Sequence, residues 1–402
     1  MHSLHSLKDK KIGIIGFNAR PLACSVSNLG AEVFVSDYWG DDDLTSCCDE
    51  WVSVLSPQLG VRQREKLETP VPVALVENLL NSFSETALDF VLVGSGFDDY
   101  SEALIPLEKQ WSINGNSSKT MKSARDRKAI EKLTSKTGFS TPKEKVIHSL
   151  DEGINASDEI GFPCVLRTMS SGGGSGIRII LNVKQLQEKL AARDLSKGVL
   201  LQQYISGSDY SLSLLCNGLR SYTLSVQGQL IGLPSAGRNS DFIYCGNYVP
   251  SGLSESSLNV LRMGCEDIGN TLKLRGSNGF DFVISPDEKI WLMEINPRIQ
   301  GTLEMLEDSG NVSVSYLHMD ASNGGLPTAT IEFIPAVKII VYANKQGFVP
   351  DLSKYPNTVD RSPTGVLVER GDPICSILEK GSSLIDVYSK AIYTSNQIRL
   401  RL

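Results

Sequence analysis

The N-terminal third of the chain is punctuated by short, almost wholly apolar runs: Lys11–Gly16 (KIGIIG), Ala31–Asp37 (AEVFVSD) and Leu88–Gly94 (LDFVLVG). They show little of the two-residue alternation of a half-exposed strand. Continuous apolar character suits strands covered on both faces, as in a parallel α/β sheet. Pro21–Leu29 between the first two has helical spacing, and the polar stretches WGDDDL and GSGFDD read as loops after the second and third runs.

The pattern changes further on. Ser123–Thr137 has helical spacing with Gly138 as its stop. Strands are predicted at Gly161–Arg167 and Ile177–Leu181, joined by the glycine-rich TMSSGGGSG, followed by a helix at Lys184–Ala192. Val199–Ile205 and Asp209–Leu215 are strands around SGS, and a helix starts at Ser254 within Leu253–Leu274. Gly279–Ile284 and Lys289–Ile295 form a hairpin around SPDE. Beyond residue 330 the runs AVKIIVY and TGVLVERGDPICSIL are strand-like, Gly371 and Asp372 read as a turn, and a last helix falls near Ser383–Thr394. Three pieces result: a Rossmann-like unit over residues 1–116, a central piece over 117–328, and a small β-rich piece over 329–402.

Composition narrows the function class. With 402 residues, 41% hydrophobic and 21% charged, the chain has the balance of a globular protein of two or three domains. A net charge of −7 argues against a general nucleic-acid binder. No apolar run approaches the ~20 residues of a membrane span, and MHSLHSLKDKK lacks a signal-peptide core. The expectation is a cytoplasmic protein with no membrane partner. Eight cysteines without a CxxC pair are expected to be reduced, mostly buried thiols. Four histidines, His2 and His5 among them in the tail, leave the chemistry to carboxylates, amides, cations and backbone.

One stretch stands out for such chemistry. In KIWLMEINPRIQ an apolar strand turns polar, with Glu294, Asn296, Arg298 and Gln300 at every second position. Alternate strand residues share a face. A four-residue turn at Pro286–Lys289 would set Asp281 across from Glu294. Facing carboxylates repel, and a divalent cation relieves the repulsion. Two carboxylates and an amide oxygen form an oxygen-only donor set suited to Mg²⁺ that shares its shell with phosphate. Arg298 adds a planar fork for phosphate or carboxylate. A solvated polar edge strand stays open as the plainer reading. SSGGGSG lacks the lysine and the following helix of a P-loop, yet its backbone N–H groups suit phosphate oxygens. A plain flexible hairpin is the alternative there.

Taken in order, Lys128 after ARD, GFPCVLR with SSGGGSG, VLLQQYISGSDYS, NGFDFVI and LMEINPRIQ resemble the ATP-grasp superfamily over about residues 117–310. LMEINPRIQ is close to the biotin-carboxylase-like version of its motif. The resemblance implies an ATP-grasp fold, α/β and α+β, with a Rossmann-like domain in front and a small β-rich domain behind. It implies a lid over about 126–205 and a metal-site hairpin over 279–298. By the same resemblance ATP is held by Lys128, Arg167, the flap glycines Gly172, Gly173, Gly174 and Gly176, the adenine slot Gln203, Tyr204 and Ile205, and Asp209 at the ribose. Asp281, Glu294 and Asn296 would hold Mg²⁺ (or Mn²⁺), and Arg298 and Arg167 would act in catalysis. The activity implied is ligation of a small-molecule carboxylate to an amine through an acyl-phosphate, releasing ADP and phosphate, in an enzyme whose relatives are often dimers.

Two departures qualify it: Arg167 stands where the family usually has lysine, and Gln203 where glutamate is common. Rival readings are carboxylation or carbamoyl transfer through carboxyphosphate, and a degenerate nucleotide-binding module. Gly16 and Asp37 have the spacing of a dinucleotide site, but GFNARP lacks its further glycines. In 237–250, Arg238 and Tyr244 are candidates for reaching substrate, with a structural loop as the equal alternative.

Overall fold

The computed structural model describes residues 7–62, 67–169, 173–174, 176–237 and 242–402. The expected first strands form at Lys11–Gly16, Glu32–Asp37 and Phe90–Val93, and a further strand, Glu50–Ser53, joins them. All four are parallel, in the order Glu50–Ser53, Glu32–Asp37, Lys11–Gly16, Phe90–Val93. Helices Arg20–Ser27 and Val71–Phe83 pack on the sheet. The strand order reverses between Lys11–Gly16 and Phe90–Val93, and in open α/β sheets ligands settle outside the strand ends at such a point. The two loops there touch, Phe17 N–H donating to the Ser95 carbonyl at 2.8 Å. A Cβ on Gly16 would lie 3.3 Å from the Gly94 Cα, so a small residue keeps the loops close.

Within residues 126–205, where a lid is expected, lies a four-stranded antiparallel sheet in the order Glu144–Ile147, Val199–Gln203, Cys164–Thr168, Arg178–Ile180. Helices Leu150–Ile160 and Val183–Ala191 bury one face of it through Ile147, Cys164, Leu166, Leu186, Leu190 and Leu201.

The largest sheet has eight strands: Ile290–Asn296, Arg275–Ile284, Ser208–Asn217, Ser221–Ile231, Tyr244–Val249, Ala336–Tyr342, Pro373–Lys380 and Thr358–Val359. Every pairing in it is antiparallel. Helix Glu255–Leu272, capped by the Ser254 hydroxyl as expected, covers one face through Leu212, Leu214, Cys216, Leu261, Cys265 and Ile268. The opposite face carries apolar residues such as Leu215 and, beside them, a polar patch. Ser211, Ser213, Gln227 and Asn247 are buried there and bond to one another.

Several expectations need correction. Ser123–Thr137 is not one helix. Ser118–Ala124 stops at Arg125, and Asp126 caps a new helix, Arg127–Thr134, by accepting from the N–H groups of Lys128 and Ala129. The cysteines are not all reduced, since Cys24 and Cys47 form a disulfide. Cys24 lies on helix Arg20–Ser27, and Cys47 in the turn after the second strand, which folds back over that helix. Cys164, Cys216, Cys245, Cys265 and Cys375 are buried thiols, as expected.

The N-terminal unit is fastened to the rest by buried charge. Arg20, 2% exposed, lies 2.7 Å from Asp360 and 3.4 Å from Asp43, and pairs with Glu304. Asp360 also meets the buried Lys338 at 3.2 Å. Arg20 and Lys338 hold the Asp360 carboxylate far below its ordinary range despite its burial.

Candidate functional site

The polar end of the hairpin is built as the alternation suggested. Asp281 pairs in register with Glu294, and Gly279 with Asn296. The route differs from the one expected. Ile284 pairs with Ile290, leaving a five-residue connection, and the register shifts between Asp281 and Phe282, so Met293 is an extra residue that restores the Asp281–Glu294 match. Asn296 Nδ2 donates to Asp281 at 2.7 Å and Gln229 Nε2 donates to its other oxygen at 2.8 Å. Burial first, and then Glu294, push the Asp281 carboxyl up to about 7 against these donors and Arg298. A buried acid beside a second acid is the environment that a divalent cation would relieve. Asp281, Glu294 and the Asn296 amide oxygen fit a hard, oxygen-preferring ion.

Arginines surround this pair. Arg298 lies just beyond the strand, its Nε 3.3 Å from Asp98. Arg125 reaches Glu294 at 2.8 Å, the Ile295 carbonyl at 3.2 Å, and Asp99 through Nε at 3.0 Å. Arg127 pairs with Glu144, which also accepts from Gln202 Nε2 at 2.9 Å. Arg167 is 7% exposed, and its Nε is buried with no acceptor among the described residues. Burial lowers its pKa, and Arg127 and Arg125 add to that while Glu294 opposes it. A buried guanidinium without a full set of acceptors is costly, and an anion is what would complete it.

The remaining expected residues fall in different places. Lys128 is exposed on the first turn of its helix, with no side-chain bond among the described residues; its neighbour Arg127 is the one within electrostatic reach of Arg167. Gln203 shares a strand face with the core residue Leu201, and its Oε1 accepts from Lys143 N–H at 3.3 Å. Gln202, on the opposite face, is the glutamine that joins the Glu144–Arg127 pair. Tyr204 and Phe242 meet edge to face at 6.3 Å between centroids, and Ile205 is half-buried. Burial raises the Asp209 carboxyl to about 6.

Gly172 and Arg238 lie outside the described residues. Gly173 accepts from Tyr244 N–H at 3.2 Å. A Cβ on Gly174 (φ +75°) would fall 1.6 Å from the Phe242 carbonyl, so this contact admits only glycine. Gly176 also has positive φ. Tyr244 is half-buried, with its hydroxyl near Asp281 and Arg298; the hydroxyl bonds Asn247, and its pKa is raised by desolvation. Gln300 packs over Gly279 and its Oε1 accepts from Ser213 Oγ at 2.5 Å, which ties the end of the motif to the sheet's polar patch.

Sequence reasoning missed Asp98, Asp99, Arg125, Arg127, Gln202 and Gln229. A signal existed for the first two, since GSGFDD ends a parallel strand at the sheet edge where ligands settle. Gln202 was available from alternation, because its neighbours Leu201 and Gln203 fall on the helix-covered face.

Residues 124–302 match the family model of the ATP-grasp domain. An uncharacterized protein of Methanocaldococcus jannaschii, MJ0776, is 23% identical over 376 residues, 91% of this chain and 87% of that one. Among solved structures, the ADP complex of PurK, an N5-carboxyaminoimidazole ribonucleotide synthetase, superposes with TM-score 0.71 at 16% identity, covering 98% of each chain. The biotin carboxylase domain of Hydrogenobacter thermophilus 2-oxoglutarate carboxylase, with MgADP and bicarbonate, superposes with TM-score 0.73 at 16% identity, covering 96% of this chain and 90% of that one. Residues 124–302 of this chain are therefore an ATP-grasp domain.

Proposed function

We propose that this protein is an ATP- and Mg²⁺-dependent ligase that joins a small-molecule carboxylate to an amine through an acyl-phosphate. The observation that carries the reading is the facing pair Asp281 and Glu294, with Asn296 beside them and Arg125, Arg167 and Arg298 around them. A cation-seeking carboxylate pair ringed by anion-seeking guanidiniums suits a metal–polyphosphate.

In this reading Asp281, Glu294 and Asn296 hold Mg²⁺, which spreads charge over the transferring phosphoryl group. Arg167, whose Nε has no acceptor among the described residues, takes phosphate oxygens. The backbone of Gly173, Gly174 and Gly176 lies over the triphosphate, steadied by the contact with residues 242–244. Tyr204, Ile205 and the Gln202–Gln203 backbone border the adenine, and Asp209 accepts from the ribose. Lys128 can serve only by extending from its exposed helix turn. Arg298 turns toward the acyl-phosphate while Asp98 fixes its Nε edge. The substrate carboxylate attacks the γ-phosphorus, ADP leaves, and the amine then displaces phosphate. The protein supplies position and field, not a nucleophile. The domain boundaries proposed are 1–116, 117–328 and 329–402, with substrate entering between the strand ends of the first unit and the sheet's polar patch. We place the protein in the cytoplasm, consistent with no described helix being long and apolar enough to cross a membrane, and a homodimer is compatible with the biotin carboxylase domain dimer among its structural neighbours.

The carboxyphosphate route is the second reading. It is favoured by the carboxylating and bicarbonate-bound structures among the fold neighbours. A metabolite screen for Mg²⁺-dependent phosphate release, run with and without bicarbonate, tests both. Release that needs a carboxylate and an amine supports the ligase. Release stimulated by bicarbonate supports the alternative. Tight ATP binding without turnover across the screen would overturn both.

A further inference from the structure

Arg125 occupies the charge of Glu294, and the way it is held suggests a function. The break between helices Ser118–Ala124 and Arg127–Thr134 turns this residue inward, its side chain only 13% exposed. One edge of its guanidinium, Nε and Nη2, is tethered to Asp99 Oδ1 at 3.0 and 2.5 Å. The remaining nitrogen, Nη1, bonds Glu294 and the Ile295 carbonyl. Among the described residues no other cation pairs with Glu294 at ion-pair distance. A planar fork can keep one edge fixed while the other changes partner. A bare divalent ion at Glu294 would have to expel Nη1 into a site already crowded by Arg167 and Arg298. A metal–polyphosphate brings its own oxygens to receive it.

We propose that Arg125 is a latch on the metal site: it neutralises Glu294 while the site is empty and releases it to a divalent ion only when a polyphosphate arrives to take Nη1. The inference rests on the metal–nucleotide reading above. Asp99 serves as the pivot, which makes the N-terminal unit a participant in metal loading. Ion and nucleotide binding are then coupled, each strengthening the other by the same factor.

The test is an electron paramagnetic resonance titration of the full chain with Mn²⁺, with and without a non-hydrolysable ATP analogue. Wild type is expected to bind Mn²⁺ about tenfold or more tightly with the analogue than without it. R125Q should bind Mn²⁺ alone about tenfold more tightly than wild type, and the gain from nucleotide should shrink to match. R125K keeps the charge but cannot hold Asp99 and Glu294 from one planar group, so it should fall between, and it serves if R125Q fails to fold. Unchanged or weaker nucleotide-free Mn²⁺ binding in R125Q, or in R125K if only that variant folds, overturns the latch and leaves the ligase reading standing. Absence of Mn²⁺ binding to wild type even with the analogue overturns both.

Discussion

Asp281 and Glu294 face one another across strands Arg275–Ile284 and Ile290–Asn296, brought into register by a bulge at Met293. With Met293 paired and no bulge the near-turn register would carry on, Asp281 would stand opposite Met293, and Glu294 would lose its place on the face that Asp281 shares with Asn296.

Replacing either carboxylate should separate fold from activity. In D281N and E294Q the hydrogen-bonded surroundings of Asn296, Gln229 and Arg125 remain. Circular dichroism should match wild type, while Mg²⁺-dependent ADP formation should fall by about 10²–10³, the loss typical of removing a group that stabilises developing charge. Full turnover in both variants would remove the metal assignment.

Arg167 makes an opposite prediction for stability and binding. Its buried Nε has no acceptor among the described residues, so R167Q should lose little or no stability without ligand and should show an equal or higher melting temperature. Its thermal shift on adding MgATP should be smaller than that of wild type, since the shift reports ligand concentration against Kd. An equal shift in both proteins would exclude Arg167 from the nucleotide site.

His318 should make stability depend on pH. Its Nδ1 accepts from Ser277 N–H at 2.8 Å, so the ring proton sits on Nε2 and points to the Asn114 carbonyl at 2.9 Å. Burial lowers its pKa from 6.5 to about 4, and protonating Nδ1 would set it against the Ser277 donor. The unfolded chain thus binds the extra proton first. The stabilisation is whole above pH about 6.5 and drains away as pH falls toward 4, to a loss on the order of 3 kcal/mol. Urea unfolding at pH 7 and pH 4.5 should show a larger drop for wild type than for H318Q.

Arg20 should be a stability residue. R20M strands Asp43, Glu304 and Asp360 around an apolar side chain. Removing one partner from a buried ionic cluster costs about 3–5 kcal/mol. Adding D360N to R20M should recover part of that loss in urea unfolding, and a double variant no more stable than R20M would argue against charge as the cause.

Much of this molecule is written in local pattern. Apolar runs located strands at Lys11–Gly16 and Cys164–Thr168, Ser254 marked the start of its helix, and alternation in LMEIN put Glu294 and Asn296 on one face. These features depend on neighbours a few residues apart, where strand and helix periods leave a direct trace in the sequence. The motif order also carried the ATP-grasp domain of residues 124–302. Tertiary structure alone decided the rest. Arg125 meets Glu294, Asp98 meets Arg298, and Arg20 meets Asp360 across most of the chain, while Cys24 finds Cys47 through a turn packed on a helix. No period links such positions, because they meet only where separate elements pack and where an unpaired buried charge must find its partner.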